Sequence, residues 1–328
     1  ALKVDWDESQ AFKKGSAELM GEYKALAKKP GSVARKDGDV DTAMASAVKT
    51  LSASYEFPYL AHAAMEPLNC VVQIKKEGCE IWNAAQTQTS DQMAVAKVLG
   101  IEVDQVKINT LYAGGSFGRR ANPLSDYVLE ATHIAKALGD NTPVKLVWTR
   151  EDDMRGGYYR PMYYHELKAG LDKEGNPVAW QHRIVGQSIL TGTAFEPMLV
   201  KNGVDGTSVE GASNLPDSIP NMLVDLHSPK VPVTVQWWRS VGSTHTAYST
   251  ETFIDELAHA ANKDPVDFRR TLLKDHPRHL DVMELAVDKG GWGHALPKGK
   301  GRGIAVHESF NSFVAQVADV TVNSDNTF

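Results

Sequence analysis

Cysteine is scarce in this sequence, with only Cys70 and Cys79 among 328 residues. Two thiols cannot by themselves hold an iron–sulfur cluster or a structural zinc ion, because either needs more protein ligands. The spacing also matches no CxxC motif. We therefore expect two buried thiols, with a disulfide bond as the alternative if the compartment is oxidising.

Long apolar runs and blocks of like charge are also missing. No window approaches the ~18 uninterrupted apolar residues of a membrane span. A formal net charge of -6 and a pI near 6.0 give no support for a nucleic-acid partner. The acidic start, ALKVDWDESQ, lacks the pattern of a signal peptide, so any export signal was removed or lies upstream.

The length allows two or three domains, since a single core seldom grows past roughly 250–300 residues. The first segment predicts a strand at residues 2–7, a helix over residues 9–28 and a charged linker at residues 34–39. The final residues have the pattern of an unfinished hairpin. Both ends therefore look cut, and we expect one stretch of a longer polypeptide.

Strands and helices alternate from residue 79 to residue 148. The pattern predicts strands at residues 79–84, 103–112 and 144–148, and helices at residues 90–99 and 125–138. Gly100 and Gly139 mark the ends of the two helices. This is a βαβ-like arrangement, which would place the segments after the first two strands on neighbouring connections.

The second of these connections is the glycine loop, residues 111–120, with the sequence LYAGGSFGRR. Glycines accept positive φ and can leave successive N–H groups pointing outward, as a nest for an anion or an oxo group. Arg119 and Arg120 would add forked donors for phosphate. The alternative is a simple bend after a strand. Neither nucleotide-binding fingerprint is matched.

Amide side chains stand on the first connection, at Gln86 and Gln88. They either reach into a crevice above the sheet or cap the following helix. Upstream, His62 and Glu66 are four positions apart and resemble half of a metal site on a helix, although a buried pair is the alternative, since no third ligand follows at metal spacing.

A second candidate loop is WWRSVGSTH, residues 237–245, predicted to follow a strand at residues 233–238 and to lead into a helix at residues 246–261. If Arg239 is buried it needs a partner, either an internal carboxylate or a ligand phosphate. Residues 191–218 have little periodicity and predict a long surface excursion or a pocket lid.

The remaining pattern is ordinary. It predicts strands at residues 51–57, 70–75, 221–226, 303–307 and 313–322, a hairpin turn at residues 173–176, and helices at residues 264–273 and 279–289.

Five segments, taken in order, are far more specific than any one of them: AHAAMEP, NAAQTQT, GGSFGRR, WRSVG and FIDELAHAANKDPVDFRRTLL. Together they resemble the molybdenum-cofactor subunit of the xanthine dehydrogenase/aldehyde oxidase family, in particular the beta subunit of isoquinoline 1-oxidoreductase and bacterial membrane-associated aldehyde dehydrogenases. The resemblance implies an α+β fold of mixed sheets and packed helices, of the molybdopterin-binding type.

The resemblance also implies a division into domains. Residues 1–37 would be the end of a preceding hammerhead-like domain and a linker. Residues 38–245 would form the first molybdopterin-binding domain, and residues 246–328 a helical segment with the start of the second.

Site residues follow from the same resemblance. Gln86 matches the glutamine that approaches the oxo ligand of molybdenum, and Arg239 matches an arginine near the metal and the pterin. The glycine loop supplies the residues that match the cofactor-contacting segment: Gly115, Ser116, Phe117 and Gly118. Gln86, Phe117 and Arg239 are thus expected around the metal, and the catalytic glutamate is expected outside this stretch, as is the family's MGQG loop.

Several positions depart from the family pattern. Ser116 replaces a glycine, and Arg119 with Arg120 replaces Gly-Lys. Ala121 and Val241 stand where xanthine-oxidising members have a substrate-binding glutamate and a ring-stacking phenylalanine. Purines are therefore not expected as substrates.

The implied function is hydroxylation of an N-heteroaromatic compound or an aldehyde, with water as the oxygen source and a molybdopterin cofactor in a dinucleotide form. Implied partners are a small subunit with two [2Fe–2S] clusters and a cytochrome c subunit. The expected location is the bacterial periplasm or the periplasmic face of the inner membrane, with the cytoplasm as the alternative. Competing hypotheses are a non-catalytic cofactor-binding or assembly module of the same family, and an unrelated anion-binding α+β protein.

Overall fold

A computed structural model describes residues 3–139 and 141–328. Its α-helices are α1 (Ser16–Ala27), α2 (Val40–Ser46), α3 (Gln88–Leu99), α4 (Asp126–Leu138), α5 (Arg150–Arg155), α6 (Glu196–Leu199), α7 (Ser243–Ala260), α8 (Pro265–Leu272) and α9 (Pro277–Lys289). Its strands are β1 (Ser32–Asp37), β2 (Lys49–Phe57), β3 (Leu60–Ala61), β4 (Asn69–Lys75), β5 (Gly78–Asn83), β6 (Val106–Thr110), β7 (Val144–Val147), β8 (Tyr159–Arg160), β9 (Tyr163–Leu171), β10 (Pro177–Gly186), β11 (Val200–Lys201), β12 (Val204–Asp205), β13 (Met222–His227), β14 (Lys300–Ser309) and β15 (Ser312–Thr321).

The larger sheet has five strands in the order β1-β13-β10-β9-β2. Residues on alternate positions of a strand face opposite sides, and both sides of this sheet are covered. Leu167 and Trp180 pack against Phe253 of α7 on one side, whereas Tyr164 packs against Tyr23 of α1 on the other. The predicted hairpin of β9 and β10 is confirmed.

The smaller sheet has four strands in the order β6-β5-β4-β7 and is covered by α3 and α4. β5 and β6 are parallel, with α3 as the crossover between them. This confirms the predicted βαβ arrangement. The alternation of short apolar strands with amphipathic helices determines it locally.

The predicted N-terminal strand and the predicted linker are wrong. Residues 3–15 form no strand or helix, α1 begins only at Ser16, and Ala1 and Leu2 lie outside the described residues. Residues 32–37 are β1, which pairs antiparallel with β13 at the edge of the larger sheet. Charged side chains are typical of an edge strand, because one side of the strand stays exposed. The charged composition of β1 was therefore mistaken for that of a linker.

The predicted strand at residues 233–238 is also wrong. The chain there forms only an isolated bridge between Tyr159 and Val235. Residues 191–218 are only in part a surface excursion. Their first half contains α6 and β11, whereas Val209 and Ala212 are buried against the larger sheet.

The C-terminal elements follow the prediction closely. The carboxylate of Asp264 accepts hydrogen bonds from the N–H groups of Val266 and Asp267, so it caps α8 as expected. β14 and β15 form a hairpin that packs on α9. The thiols of Cys70 and Cys79 are free and buried, so the disulfide alternative is wrong. None of the helices in the described ranges has the length and apolar character that crossing a bilayer requires.

Candidate functional site

Gln86 and the glycine loop meet at one edge of the smaller sheet. Gln86 follows β5 and the loop follows β6, and neighbouring parallel strands end at the same edge. The Ser116 hydroxyl donates a hydrogen bond to Oε1 of Gln86, whose side chain is exposed. α3 has no side-chain cap. Gln86 therefore does not cap α3, and the amide nitrogen of Gln88 donates to the Ala85 carbonyl at 3.1 Å.

Successive N–H groups of the glycine loop are unpartnered. Gly115, Phe117 and Gly118 have positive φ of 105°, 56° and 103°. Within residues 3–139 and 141–328, no acceptor contacts the main-chain N–H of Gly115, Ser116, Phe117 or Gly118. Such a run of free donors in a turn of mixed handedness is a nest for an anion or an oxo group. The loop therefore has the free donors that the nest hypothesis requires.

The second candidate loop packs directly on the first. The N–H of Arg239 donates to the carbonyl of Phe117 at 2.8 Å, and the indole N–H of Trp237 donates to the carbonyl of Ala121 at 2.9 Å. At Gly118, a Cβ would lie 2.5 Å from the Trp237 carbonyl oxygen, so only glycine allows this approach. The two segments, far apart in sequence, share one surface.

The arginines have different environments from those expected. The side chain of Arg239 is exposed, and no described residue forms an ion pair or a hydrogen bond with its guanidinium, so it needs no internal carboxylate. Arg119 and Arg120 are 3% and 2% exposed. Arg119 pairs with Asp126 at 2.6 Å and Arg120 with a second carboxylate at 2.9 Å. The prediction that these two arginines offer donors to phosphate is therefore wrong.

The carboxylate paired with Arg120 is that of Glu66, which also accepts the N–H of Gly114 at 2.8 Å. The hydrogen bond from Gly114 lowers the pKa of Glu66 below its ordinary value. Glu66 therefore ties the first glycine of the loop to a buried cation. The described residues contain no group of His, Cys, Asp and Glu arranged to hold a metal ion, so the half metal site is not supported.

His62 supports the second loop. Its Nε2 donates to the carbonyl of Trp237 at 2.9 Å, and its ring stacks on Trp238 with 4.8 Å between centroids. Burial lowers the pKa of His62 to about 4, so the ring is neutral at neutral pH. His62 and Glu66 are not a mutual pair, because each holds a different loop.

Sequence reasoning missed Gln236 as a structural link. This residue is 1% exposed, donates to the Gly118 carbonyl at 3.0 Å and accepts from Asn122 at 2.9 Å. It therefore clamps the glycine loop to the second loop. No periodic pattern identifies such a residue. The neighbouring tryptophans were the available signal that this segment is packed.

Several hydrogen-bond donors on these segments have no acceptor in the described chain. They include the N–H groups of Gly115–Gly118, the free amide nitrogen of Gln86 and the exposed guanidinium of Arg239. The main-chain N–H groups and the amide of Gln86 are donors that do not titrate. The donor set suits an anionic or oxo-bearing ligand of any redox state.

Comparison with known proteins agrees with this donor chemistry. A family model described as "Molybdopterin cofactor-binding domain" matches residues 26–273. The beta subunit of isoquinoline 1-oxidoreductase from Brevundimonas diminuta is 30% identical over 271 residues, which are 81% of this chain and 34% of that protein. The membrane-bound aldehyde dehydrogenase [pyrroloquinoline-quinone] of Gluconacetobacter polyoxogenes is 28% identical over 329 residues, 93% of this chain and 42% of that protein.

Among solved structures, quinoline 2-oxidoreductase from Pseudomonas putida 86 superposes with a TM-score of 0.69 at 20% identity, covering 93% of this chain and 42% of that one. This likeness shows a shared fold. The chain spans less than half the length of each of these three proteins.

Proposed function

The chain belongs to the molybdopterin cofactor-binding domain family, and from this premise we propose that it is the cofactor-binding part of a molybdenum hydroxylase. The proposed reaction is oxidation of an N-heteroaromatic compound or an aldehyde, with water as the oxygen source. The names of the isoquinoline and aldehyde relatives support this substrate range.

The observation that carries the proposal is the main-chain hydrogen bond from Arg239 to Phe117, because it joins the two segments on which the free donors lie. We propose that Gly115, Ser116, Phe117 and Gly118 hold the cofactor through their N–H groups. Gln86 would contact the oxo ligand, and Arg239 would neutralise negative charge on the cofactor. Their chemistry fits the group, since each is a donor without a competing partner in the described chain.

The division of labour follows from these residues. When bound, the molybdenum cofactor supplies the redox chemistry. The protein donors orient it and stabilise negative charge without gaining or losing protons. The hydroxyl of Ser116 donates to the side chain of Gln86 and so orients it. The same hydroxyl oxygen accepts a hydrogen bond from the main-chain N–H of Arg120 at 3.1 Å. The catalytic glutamate of the proposed reaction would lie outside this stretch.

Electrons must leave the site through another polypeptide or domain. The buried Cys70 and Cys79 cannot hold an iron–sulfur cluster. We therefore propose a small partner subunit with two [2Fe–2S] clusters, and a cytochrome c beyond it. We also propose that the cofactor has a dinucleotide form. The division of the chain into domains after residues 37 and 245 is likewise a proposal.

We also propose that the intact protein works in the periplasm or at the periplasmic face of the inner membrane. The name of the Gluconacetobacter polyoxogenes relative, a membrane-bound aldehyde dehydrogenase, supports this location. Cell fractionation with antibody detection tests it. Recovery of the protein in the cytoplasmic fraction would contradict it.

Metal analysis tests the function directly. The intact protein, purified from a host that makes the cofactor, should contain about one molybdenum per chain and should reduce a dye in the presence of isoquinoline or an aldehyde. Molybdenum without dye reduction, for every substrate of both classes, would favour the non-catalytic binding or assembly module. Absence of molybdenum would refute cofactor binding.

A further inference from the structure

A cavity of about 390 Å³ lies beside the glycine loop and takes no part in the proposed site. Three segments form it: Pro123 and Leu124, which follow the loop; residues 187–193 after β10; and residues 228–235 after β13. Its volume is within the range of small-molecule pockets. Tyr158 lines the cavity. The centroid of its ring lies 5.5 Å from the guanidinium carbon of Arg119, so Tyr158 lies between the cavity and the end of the glycine loop.

The charge of the lining is one-sided. Among the described residues that line the cavity, Lys230 is the sole charged one, and no carboxylate accompanies it. Its side chain is exposed and forms no ion pair or hydrogen bond with any described residue. The nearby carboxylates of Glu196 and Asp205 already accept hydrogen bonds from Gly192 and Ser188, so the free ammonium of Lys230 favours an anion.

The polar groups of the lining divide into occupied and free ones. Ser188 donates to Asp205 at 2.6 Å, and Thr234 donates to the Gly157 carbonyl at 3.0 Å. In contrast, the hydroxyls of Thr191 and Ser228 have no partner in the described part of the chain. Both residues are exposed. The free hydroxyls are thus open to solvent, as is the ammonium of Lys230.

The remaining lining combines aliphatic side chains with Tyr158, Gln187 and Thr193. Ile189, Val231 and Val233 contribute aliphatic surface, and Leu124 is 60% exposed at the edge of the cavity. An apolar body placed against these side chains is stabilised by the removal of its apolar surface from water. A ligand that matches both features has an apolar body and a single anionic group.

We propose that this cavity binds a small organic monocarboxylate, with its carboxylate at Lys230, Thr191 and Ser228 and its apolar body against Leu124, Ile189 and Val233. The inference stands on the lining residues alone and does not depend on the proposed function.

Calorimetric titration of the intact protein with benzoate, and with the neutral analogue benzamide, tests the charge requirement. The wild type should bind benzoate more tightly than benzamide. Lys230→Met should weaken benzoate binding about two- to fivefold, as expected for an exposed ion pair, and leave benzamide binding unchanged. Lys274→Met is the matched control, because Lys274 is also exposed and unpaired among the described residues. It should change neither.

A second pair of variants tests the apolar wall. Leu124→Asp should weaken benzoate binding further, because it removes apolar contact and adds a like charge. Leu285→Asp, at a leucine of similar exposure on α9, should not. Benzoate affinity that is the same in Lys230→Met and the wild type would overturn the inference. So would benzoate binding that is lost only in Arg239→Ala, since it would place the anion at the donor site instead.

These outcomes separate the two proposals. Benzoate binding that depends on Lys230 in a protein without molybdenum would support the cavity inference while refuting the proposed function. If the protein contains molybdenum, and benzoate affinity is unchanged in Lys230→Met and in Leu124→Asp, only the cavity inference is overturned.

Discussion

Three arginines of this site show how the environment of a residue sets its use. Arg119 and Arg120 follow the glycines directly, yet both are buried and paired with carboxylates. Arg239 belongs to a distant segment and keeps its guanidinium free and exposed. A buried cation needs an internal counter-charge, and such a pair has little left to offer a ligand. The free arginine is therefore the one expected to bind.

At Arg239, replacement by alanine should abolish cofactor retention. The change removes a guanidinium that is exposed and has no partner among the described residues, while the main-chain N–H of residue 239 can still donate to Phe117. Molybdenum per chain, measured after desalting, should fall well below that of the wild type. Arg155→Ala is the control, since Arg155 is exposed and unpaired among the described residues. Full molybdenum content in Arg239→Ala would disprove the role.

Gln86→Ala should retain molybdenum but slow turnover by about 100-fold, the usual loss when one charge-stabilising donor is removed. The four N–H groups of the glycine loop remain to hold the cofactor. Steady-state rates and metal content of the same preparation give both numbers. Gln316→Ala, at an exposed glutamine of β15, should behave like the wild type. An unchanged rate in Gln86→Ala would remove Gln86 from the mechanism.

Two elements, the glycine loop and the segment at Arg239, depend on one close approach. At Gly118 the φ of 103° and the nearby Trp237 carbonyl both exclude a side chain. Gly118→Ala should lower the free energy of unfolding by about 1–3 kcal/mol and reduce molybdenum content. Gly192→Ala is a close control, because Gly192 has a φ of 83° but no atom within 4 Å of its would-be Cβ. Equal losses of stability in the two variants would show that backbone strain alone is responsible.

A row of three buried histidines joins β9, β10 and α7. Nδ1 of His165 lies 2.8 Å from Nε2 of His182, and Nε2 of His165 lies 2.9 Å from Nδ1 of His245. Burial holds the pKa of His165 and His245 well below the ordinary value, and lowers that of His182 to about 3. The row is therefore neutral and links the sheet to the first turn of α7.

His165→Leu should leave two buried ring nitrogens without partners and cost about 1–3 kcal/mol for each at pH 7. The unfolded chain binds protons near pH 6.5 whereas the buried rings do not, so stability is present above about pH 6.5 and is lost as pH falls below it. The variant should show a shallower loss between pH 6.5 and 4.5 in denaturant titrations. His133→Leu, on the exposed face of α4, should keep the wild-type slope.

For the whole molecule, one buried carboxyl gives a pH dependence of the opposite sign. Burial raises the pKa of Asp217 to about 7, and its Oδ2 has no hydrogen-bond partner in the described chain. The folded protein therefore binds a proton that the unfolded chain releases near pH 3.9. The contribution of this proton to stability is full below about pH 3.9 and is lost as pH rises through 7.

Asp217→Asn should remove this contribution, so that above pH 7 the variant is more stable than the wild type by about 2–4 kcal/mol. Unfolding by denaturant at pH 4.5, 6 and 8 measures the difference. Asp281→Asn, at an exposed aspartate of α9, should match the wild type at each pH. A variant that is less stable at pH 8 would show that Asp217 is charged in the fold.

The amino-acid sequence alone determined much of the local structure and the family. Period-2 and period-3.6 patterns predicted the βαβ unit, the hairpin of β9 and β10 and the capped helix after Asp264, and the ordered motifs identified the family. These features depend on residues close together in the chain, where propensity and periodicity act. The match of residues 26–273 to the family model excludes the alternative of an unrelated anion-binding protein.

Only the tertiary structure decided which groups face a ligand. It made residues 32–37 an edge strand, left residues 233–238 without a strand, buried Arg119 and exposed Arg239. It also brought Phe117 to Arg239 through a main-chain bond that carries no side-chain signature. Exposure and pairing are set by contacts between residues far apart in sequence, and no local pattern reports them.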